Sequence, residues 1–198
     1  MSTTTTGQPL GSARAPGSRA LTADRQLGML IALASFGMLF GTLVLSYLLA
    51  RARAPVWPPV GSEPVPYTIP LLSLPLILAS SFLVHDAWKK FNAGNRGGFK
   101  KSWGLATLLG IGFLLLQTQL WKQLYRLGLR LDQDLYSGIV YVLTGTHAAH
   151  VLAGLLVLLA VWFRTDRLPA RSDLPQLAGW FWHFLGAVWA VLVALIIW

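Results

Sequence analysis

The chain has 198 residues, 55% of them hydrophobic and only 12% charged, about half the charged fraction of an ordinary soluble domain. Its formal charge is +9, but the 16 Lys and Arg lie almost wholly between apolar runs. That is the pattern of membrane-topology signals, so no nucleic-acid partner is expected. Cysteine is absent, which excludes disulfides, thiolate metal sites and iron–sulfur clusters.

Residues 1–26 are rich in Ser, Thr, Gly, Pro and Ala, carry Arg14, Arg19 and Arg25, and contain no apolar run. They read as a disordered tail. The apolar run from Leu27 exceeds the about 7–15 residues of a signal-peptide core and reads as a retained helix. Five segments meet the need for about 20 mostly apolar residues: 27–50, 67–88, 102–121, 136–163 and 177–198. The expected fold is all-α, a bundle of five transmembrane helices in one domain over 27–198. Aromatic residues near the segment ends, Tyr47, Tyr67, Trp88, Trp103, Trp121, Tyr136, Trp162, Trp180 and Trp198, suit the headgroup layer.

Short connectors make successive helices antiparallel. The first, residues 51–66, contains Trp57-Pro58-Pro59, which favours an extended path. The Gly94–Gly98 stretch reads as a flexible turn. Eleven Lys and Arg fall on the side of the N-terminus and five on the other. That bias places the N-terminus in the cytoplasm and the C-terminus outside.

Lipid gives helices no hydrophobic reason to associate, so small residues that admit close backbone approach are candidate contact points. Gly37 and Gly41 form one such pair. Ser102, Ala106 and Gly110 form a stripe on the third segment, and Gly145, Ala149 and Ala153 form one on the fourth. With Trp57, the residues Gly37, Gly41, Ala149 and Ala153 are candidate lipid or partner contacts.

Transport or proton pumping needs ionisable groups at depth. No acidic residue lies in the middle of a predicted helix. Asp86 comes nearest, and Lys89 three residues on reads as its surface partner. His147 and His150 share one helix face, with His85 and His183 elsewhere. An i, i+3 pair on one helix cannot supply both axial ligands of a haem, and no carboxylate is placed to complete a nonhaem site. His147 and His183 differ in depth by roughly 15 Å at 1.5 Å per residue. The expectation is neutral histidines hydrogen-bonded across helices, with Thr144, Thr146 or carbonyls as partners. No catalytic, cofactor or metal ligand set is assigned to this chain.

Thr144-Gly145-Thr146-His147-Ala148-Ala149-His150-Val151, with Gly154, resembles the Thr-Gly-x-His-x-x-His-Val-x-x-Gly motif of subunit III of the haem-copper respiratory oxidases. Trp182-His183-Phe184 with Trp189 is similar to that family's last helix. Leu27-Gly28-Met29, Trp57-Pro58-Pro59 and Ser80-Ser81 match weaker features of its short, five-helix bacterial form, which implies a bacterial inner membrane with the C-terminus in the periplasm. The resemblance covers residues 25–198. It implies a non-catalytic accessory subunit that packs on catalytic subunit I, where haem and copper reside, and that supports assembly, stability and proton uptake and binds phospholipid. Its own chemistry would be that of an oxidoreductase complex without its own active site. Three acids usual in the family are replaced here, by Phe36 after Ser35, by Leu120 after Gln117, and by Gly186 after Trp182-His183-Phe184, so a proton-handling role through them is not expected. Alternatives are an accessory subunit of a nitric oxide reductase, and a stand-alone transporter or scaffold. An inverted repeat would favour transport, and none is visible.

Overall fold

The computed structural model describes residues 16–197 apart from residue 171, with side chains from 23 to 196. Five long helices follow one another: α1 Pro16–Arg53, α2 Thr68–Asn92, α3 Arg96–Arg126, α4 Leu135–Arg164 and α5 Leu174–Ile197. A single 3-10 turn, Thr165–Arg167, continues α4. All five helices are long and apolar enough to cross a membrane, and no strand occurs among the described residues.

The helices overrun the apolar segments because the flanking Lys, Arg and Gln residues are good helix formers that hydropathy alone discounts. The clearest case is α1. It starts at Pro16, a residue whose fixed φ suits a first helical position, so residues 16–26 of the expected tail are helical. The rest of that tail, and Trp198, lie outside the described residues.

The connectors are correspondingly tight. Gly94 has φ +77°. Its N–H reaches the Phe91 carbonyl and that of Asn95 the Lys90 carbonyl, the paired bonds that close a helix C-terminus. The Asn95 side chain then accepts the Gly98 N–H at 2.8 Å and caps α3. The Gly94–Gly98 stretch is therefore a formed corner, with Gly97 and Gly98 inside α3, not a flexible connector. Gly128, at φ +84°, ends α3 by the same bonding, with the Leu129 N–H on the Leu124 carbonyl. Asp134 opens α4 by accepting the Ser137 N–H at 2.7 Å.

Helices α2, α3, α4 and α5 form a closed ring in which each packs on the next and α5 returns to α2. The backbone of α1 comes close to α4 and α5 alone, so α1 lies outside the ring, over the α4–α5 groove. At one end Arg96 clamps two connectors. Its guanidinium sits 4.4 Å from the centre of the Phe91 ring and donates to the Thr165 and Leu168 carbonyls at 3.0 Å. At the other end Trp57 packs edge-on between Tyr47 of α1 and Tyr136 of α4, and its Nε1 donates to the Tyr47 hydroxyl at 3.3 Å. The Val65 N–H donates to the Tyr136 hydroxyl.

Candidate functional site

The two sequence motifs meet in the middle of the ring, where α5 presents indole rings to small residues and hydroxyls of its neighbours. Trp182 is fully buried and lies across Gly110 of α3 and Gly154 of α4. A Cβ on Gly110 would stand 2.7 Å from the indole, and one on Gly154 would stand 3.1 Å from it. Glycine is required at the first position and strongly favoured at the second. The Trp182 Nε1 donates to Ser80 of α2 at 3.0 Å, and that hydroxyl donates to the Ala106 carbonyl of α3 at 2.8 Å. One indole thus ties three helices through a two-step chain. Trp189 repeats the device two turns along, donating to Ser73, which in turn donates to the Pro70 carbonyl. Trp103 closes the ring by donating to the Leu158 carbonyl of α4 at 2.9 Å.

The Ser102–Ala106–Gly110 stripe is thereby a true contact face within the chain. The Gly145–Ala149–Ala153 stripe is not. Nothing lies within 4 Å of a Cβ placed on Gly145, and Ala149 and Ala153 are exposed. Gly37 and Gly41 line an apolar groove between α1 and α5 whose other wall includes Phe184. Gly41 meets nothing there, and Gly37 only the Phe184 ring at 4.0 Å.

The four histidines fall into two groups. His147 is fully buried, stacked on Trp189 at 5.1 Å, with Phe113 and Phe40 at its edges. Neither ring nitrogen has a hydrogen-bond partner, contrary to the expectation of a bond across helices. The indole that would reach Thr144 first is Trp121, whose Nε1 takes that hydroxyl at 3.1 Å, while Thr144 itself donates to the Val140 carbonyl. His150 bonds within its own helix, Nδ1 to the Thr146 carbonyl at 2.7 Å. Only His183 makes the expected link between helices, from Nδ1 to Ser81 of α2. His183 also faces His85, with ring centres 6.2 Å apart. Trp189 lies six residues along α5 from His183, about 9 Å, so the two groups are separate. Among the described residues no group of three or more His, Asp or Glu side chains converges as a metal site would require.

Each position where the resembled family carries an acid holds an uncharged residue without a polar side chain. The Phe36 ring meets His150 edge-on at 4.8 Å. Leu120 is fully buried in a cluster with Leu124, Leu129 and Val140. Gly186 is buried facing Ser81. Asp86 pairs with Lys90 at 2.5 Å, not with Lys89, and accepts from Ser102 at 2.7 Å. The i, i+4 spacing lets the longer reach succeed, and Ser102 on α3 fixes the direction. The Ser80 relay was missed from sequence. A serine four residues before Val84 and seven before Ala87 looks like any polar residue in a membrane helix, and only the Trp182 placement reveals it.

The arrangement holds helices at fixed distances through indole, hydroxyl and carbonyl groups. It is a packing centre, with polar atoms saturated by one another or sealed among rings.

Comparison with known proteins agrees with the motif resemblance. The family model described as Cytochrome c oxidase subunit III matches residues 13–198. The cytochrome c oxidase subunit 3 of a Synechocystis species is 30% identical over 177 residues, covering 87% of this chain and 74% of the relative. That of Thermostichus vulcanus is 31% identical over 177 residues, covering 87% and 86%. That of Loxodonta africana is 32% identical over 146 residues, covering 72% and 55%.

Proposed function

This chain belongs to the cytochrome c oxidase subunit III family, a multi-pass membrane protein whose family is part of the oxidase complex, and we propose that it acts as a non-catalytic accessory subunit stabilising the catalytic subunit. In this reading it packs on subunit I, which holds haem and copper, and contacts phospholipid. The N-terminus lies in the cytoplasm and the C-terminus in the periplasm of a bacterial inner membrane, as the unequal distribution of Lys and Arg favours.

The observation that carries the reading is the open face of α4. Its small-residue stripe, Gly145, Ala149 and Ala153, has no partner helix within the chain. Small residues are useful in a membrane helix where another backbone must approach, and here that backbone has to come from elsewhere. The apolar filling at Phe36, Leu120 and Gly186 supports a role in packing over one in moving protons.

The test is Ala149→Leu combined with Ala153→Leu. Both side chains point away from the ring, so the isolated subunit should remain folded while the haem recovered with it falls several-fold. Unchanged haem recovery would count against this face as the docking surface.

A further inference from the structure

At the end of α3 nearest α4's start, a recess of about 510 Å³ is lined by Thr118, Trp121, Lys122, Tyr125, Arg126 and Tyr141. Lys122 and Arg126 are exposed and share a helix face at i, i+4. Arg130 reaches back so that its guanidinium lies 5.2 Å from the centre of the Tyr125 ring. Among the described residues none of the three cations has an ion-pair partner. The polar atoms of the aromatic wall are largely spoken for: Trp121 donates to Thr144, and Tyr141 to the Leu129 carbonyl. The recess therefore offers positive charge over ring faces.

These cations stand where topology signals least favour them. In the orientation proposed above, the outer side carries five Lys and Arg of the chain's 16; two of those five, Lys122 and Arg126, line this recess, and a third, Arg130, stacks on its Tyr125. Positive charge is normally kept out of short outer connectors, so its concentration at one spot needs a local reason. The helix face below the recess supplies one. Leu105, Leu108, Ile111 and Leu115 form a continuous exposed apolar stripe on α3, which turns polar at Thr118 and basic at Lys122. From Leu108 to Thr118 is about 15 Å at 1.5 Å per residue, the hydrocarbon depth of one leaflet.

We propose that this surface binds an anionic phospholipid of the outer leaflet. Its acyl chains lie along the Leu108–Leu115 part of the stripe, and its phosphate sits between the Lys122 ammonium and the Arg126 guanidinium. Trp121 and Tyr125 hold the glycerol level, as amphipathic rings do at the interface. A free phosphate would satisfy the cations but leave the apolar stripe without a role. An acidic protein segment would not explain why the stripe continues to mid-membrane.

The proposal rests on the membrane orientation of the accessory-subunit reading, and the test separates the two. The chain is purified within its complex in mild detergent, stripped of loosely held lipid, and offered phosphatidylglycerol, phosphatidylcholine or inorganic phosphate. Retained lipid is read by native mass spectrometry. Phosphatidylglycerol should be retained selectively. Each surface cation contributes about fivefold to anionic-lipid affinity, so Lys122→Gln with Arg126→Gln should lower retention by about 25-fold. Lys122→Arg with Arg126→Lys should keep most of it and controls for folding. Equal retention of phosphatidylcholine, protection by inorganic phosphate alone, or retention unchanged in the Gln variant would overturn the proposal. Loss of a neighbouring subunit from the Gln variant with lipid content unchanged would overturn it too, by assigning the recess to an acidic protein segment. Failure to recover any haem-bearing partner with the wild-type chain would instead strike the accessory-subunit reading.

Discussion

The ring of α2 to α5 and the outlying α1 solve the same problem in different ways. In the ring, buried indoles are bonded to a hydroxyl or carbonyl of another helix, as Trp182 is to Ser80, Trp189 to Ser73 and Trp103 to Leu158, and Trp182 is also set on Gly110. Helix α1 meets the ring chiefly through side-chain rings, Phe36 and Phe40 against His150, and at its end through the Tyr47 hydroxyl, which donates to the Leu195 carbonyl of α5 at 3.2 Å. Its hydroxyls at Ser35, Thr42 and Ser46 turn back to their own helix. Of its main membrane stretch only 6% is buried inside the molecule, against half for α5. Hydrogen bonds and close backbone approach are what remain to drive association once the solvent is itself apolar. The ring has both and α1 has little of either. The ring is accordingly specified by this chain alone, while most of α1 is left for lipid or another subunit.

That contrast can be broken by one substitution made in several places. Gly110→Ala puts a Cβ 2.7 Å from the Trp182 indole and 2.8 Å from Leu155. It should cost about 3 kcal/mol, the upper end for overpacking, seen as a lower midpoint in thermal unfolding of the detergent-solubilised protein. Gly154→Ala, with contacts near 3.1 Å, should cost about 1 kcal/mol, the lower end of the same range. Gly41→Ala in α1 meets nothing within 4 Å and should be neutral or slightly stabilising, since alanine is the better helix former by up to about 1 kcal/mol. Equal costs at Gly110 and Gly41 would erase the distinction between ring and outlier.

Ser80→Ala sharpens it next. The change leaves the buried Trp182 Nε1 without an acceptor, and such orphaning costs about 1–3 kcal/mol. Ser46→Ala in α1 removes only a bond to the Thr42 carbonyl and should leave the unfolding midpoint nearly unchanged. His147→Leu tests the interior. Neither imidazole nitrogen is bonded, so its replacement forfeits the stack on Trp189, about 0.5–1.5 kcal/mol, while relieving a polar burial cost of similar size. A net change within about 1 kcal/mol is expected from these opposing terms; a loss of several would mean that the imidazole has a polar partner.

The smallest effect lies at the connector. The Asp134 carboxyl feels desolvation, which raises its pKa, but the Ser137 N–H at 2.7 Å and the Ser62 hydroxyl at 2.5 Å together hold it below the ordinary value of 3.8. Its contribution is therefore present above about pH 4, where the unfolded carboxyl is ionised, and is lost as the pH falls through the lowered native value. Asp134→Asn should remove that low-pH component from the stability profile.

The number and order of helices were legible because about 20 apolar residues in a row have few other uses. Their true ends were not, because cationic helix formers extend each span past the apolar limit. The corner at Gly94–Asn95 shows the converse error: five residues that look flexible form a closed cap once both helices are in place. Small-residue stripes marked contact faces without saying whose. Ser102–Ala106–Gly110 faces the chain's own Trp182, whereas Gly145–Ala149–Ala153 faces outward, and spacing is the same in both. The histidine motifs identified the family correctly, yet the bonds expected of them formed at His183 and not at His147. Only the tertiary arrangement decides that Trp121 reaches Thr144 first.

The central claim is that this chain stands beside a haem-bearing catalytic subunit and holds no redox group itself. The direct measurement is the optical spectrum of material recovered on the tagged wild-type chain in mild detergent, followed by separation of its subunits. The account predicts a haem spectrum in the intact material that follows a larger partner and leaves the isolated chain colourless. Haem remaining with the isolated chain, or no haem in the intact material, would contradict it.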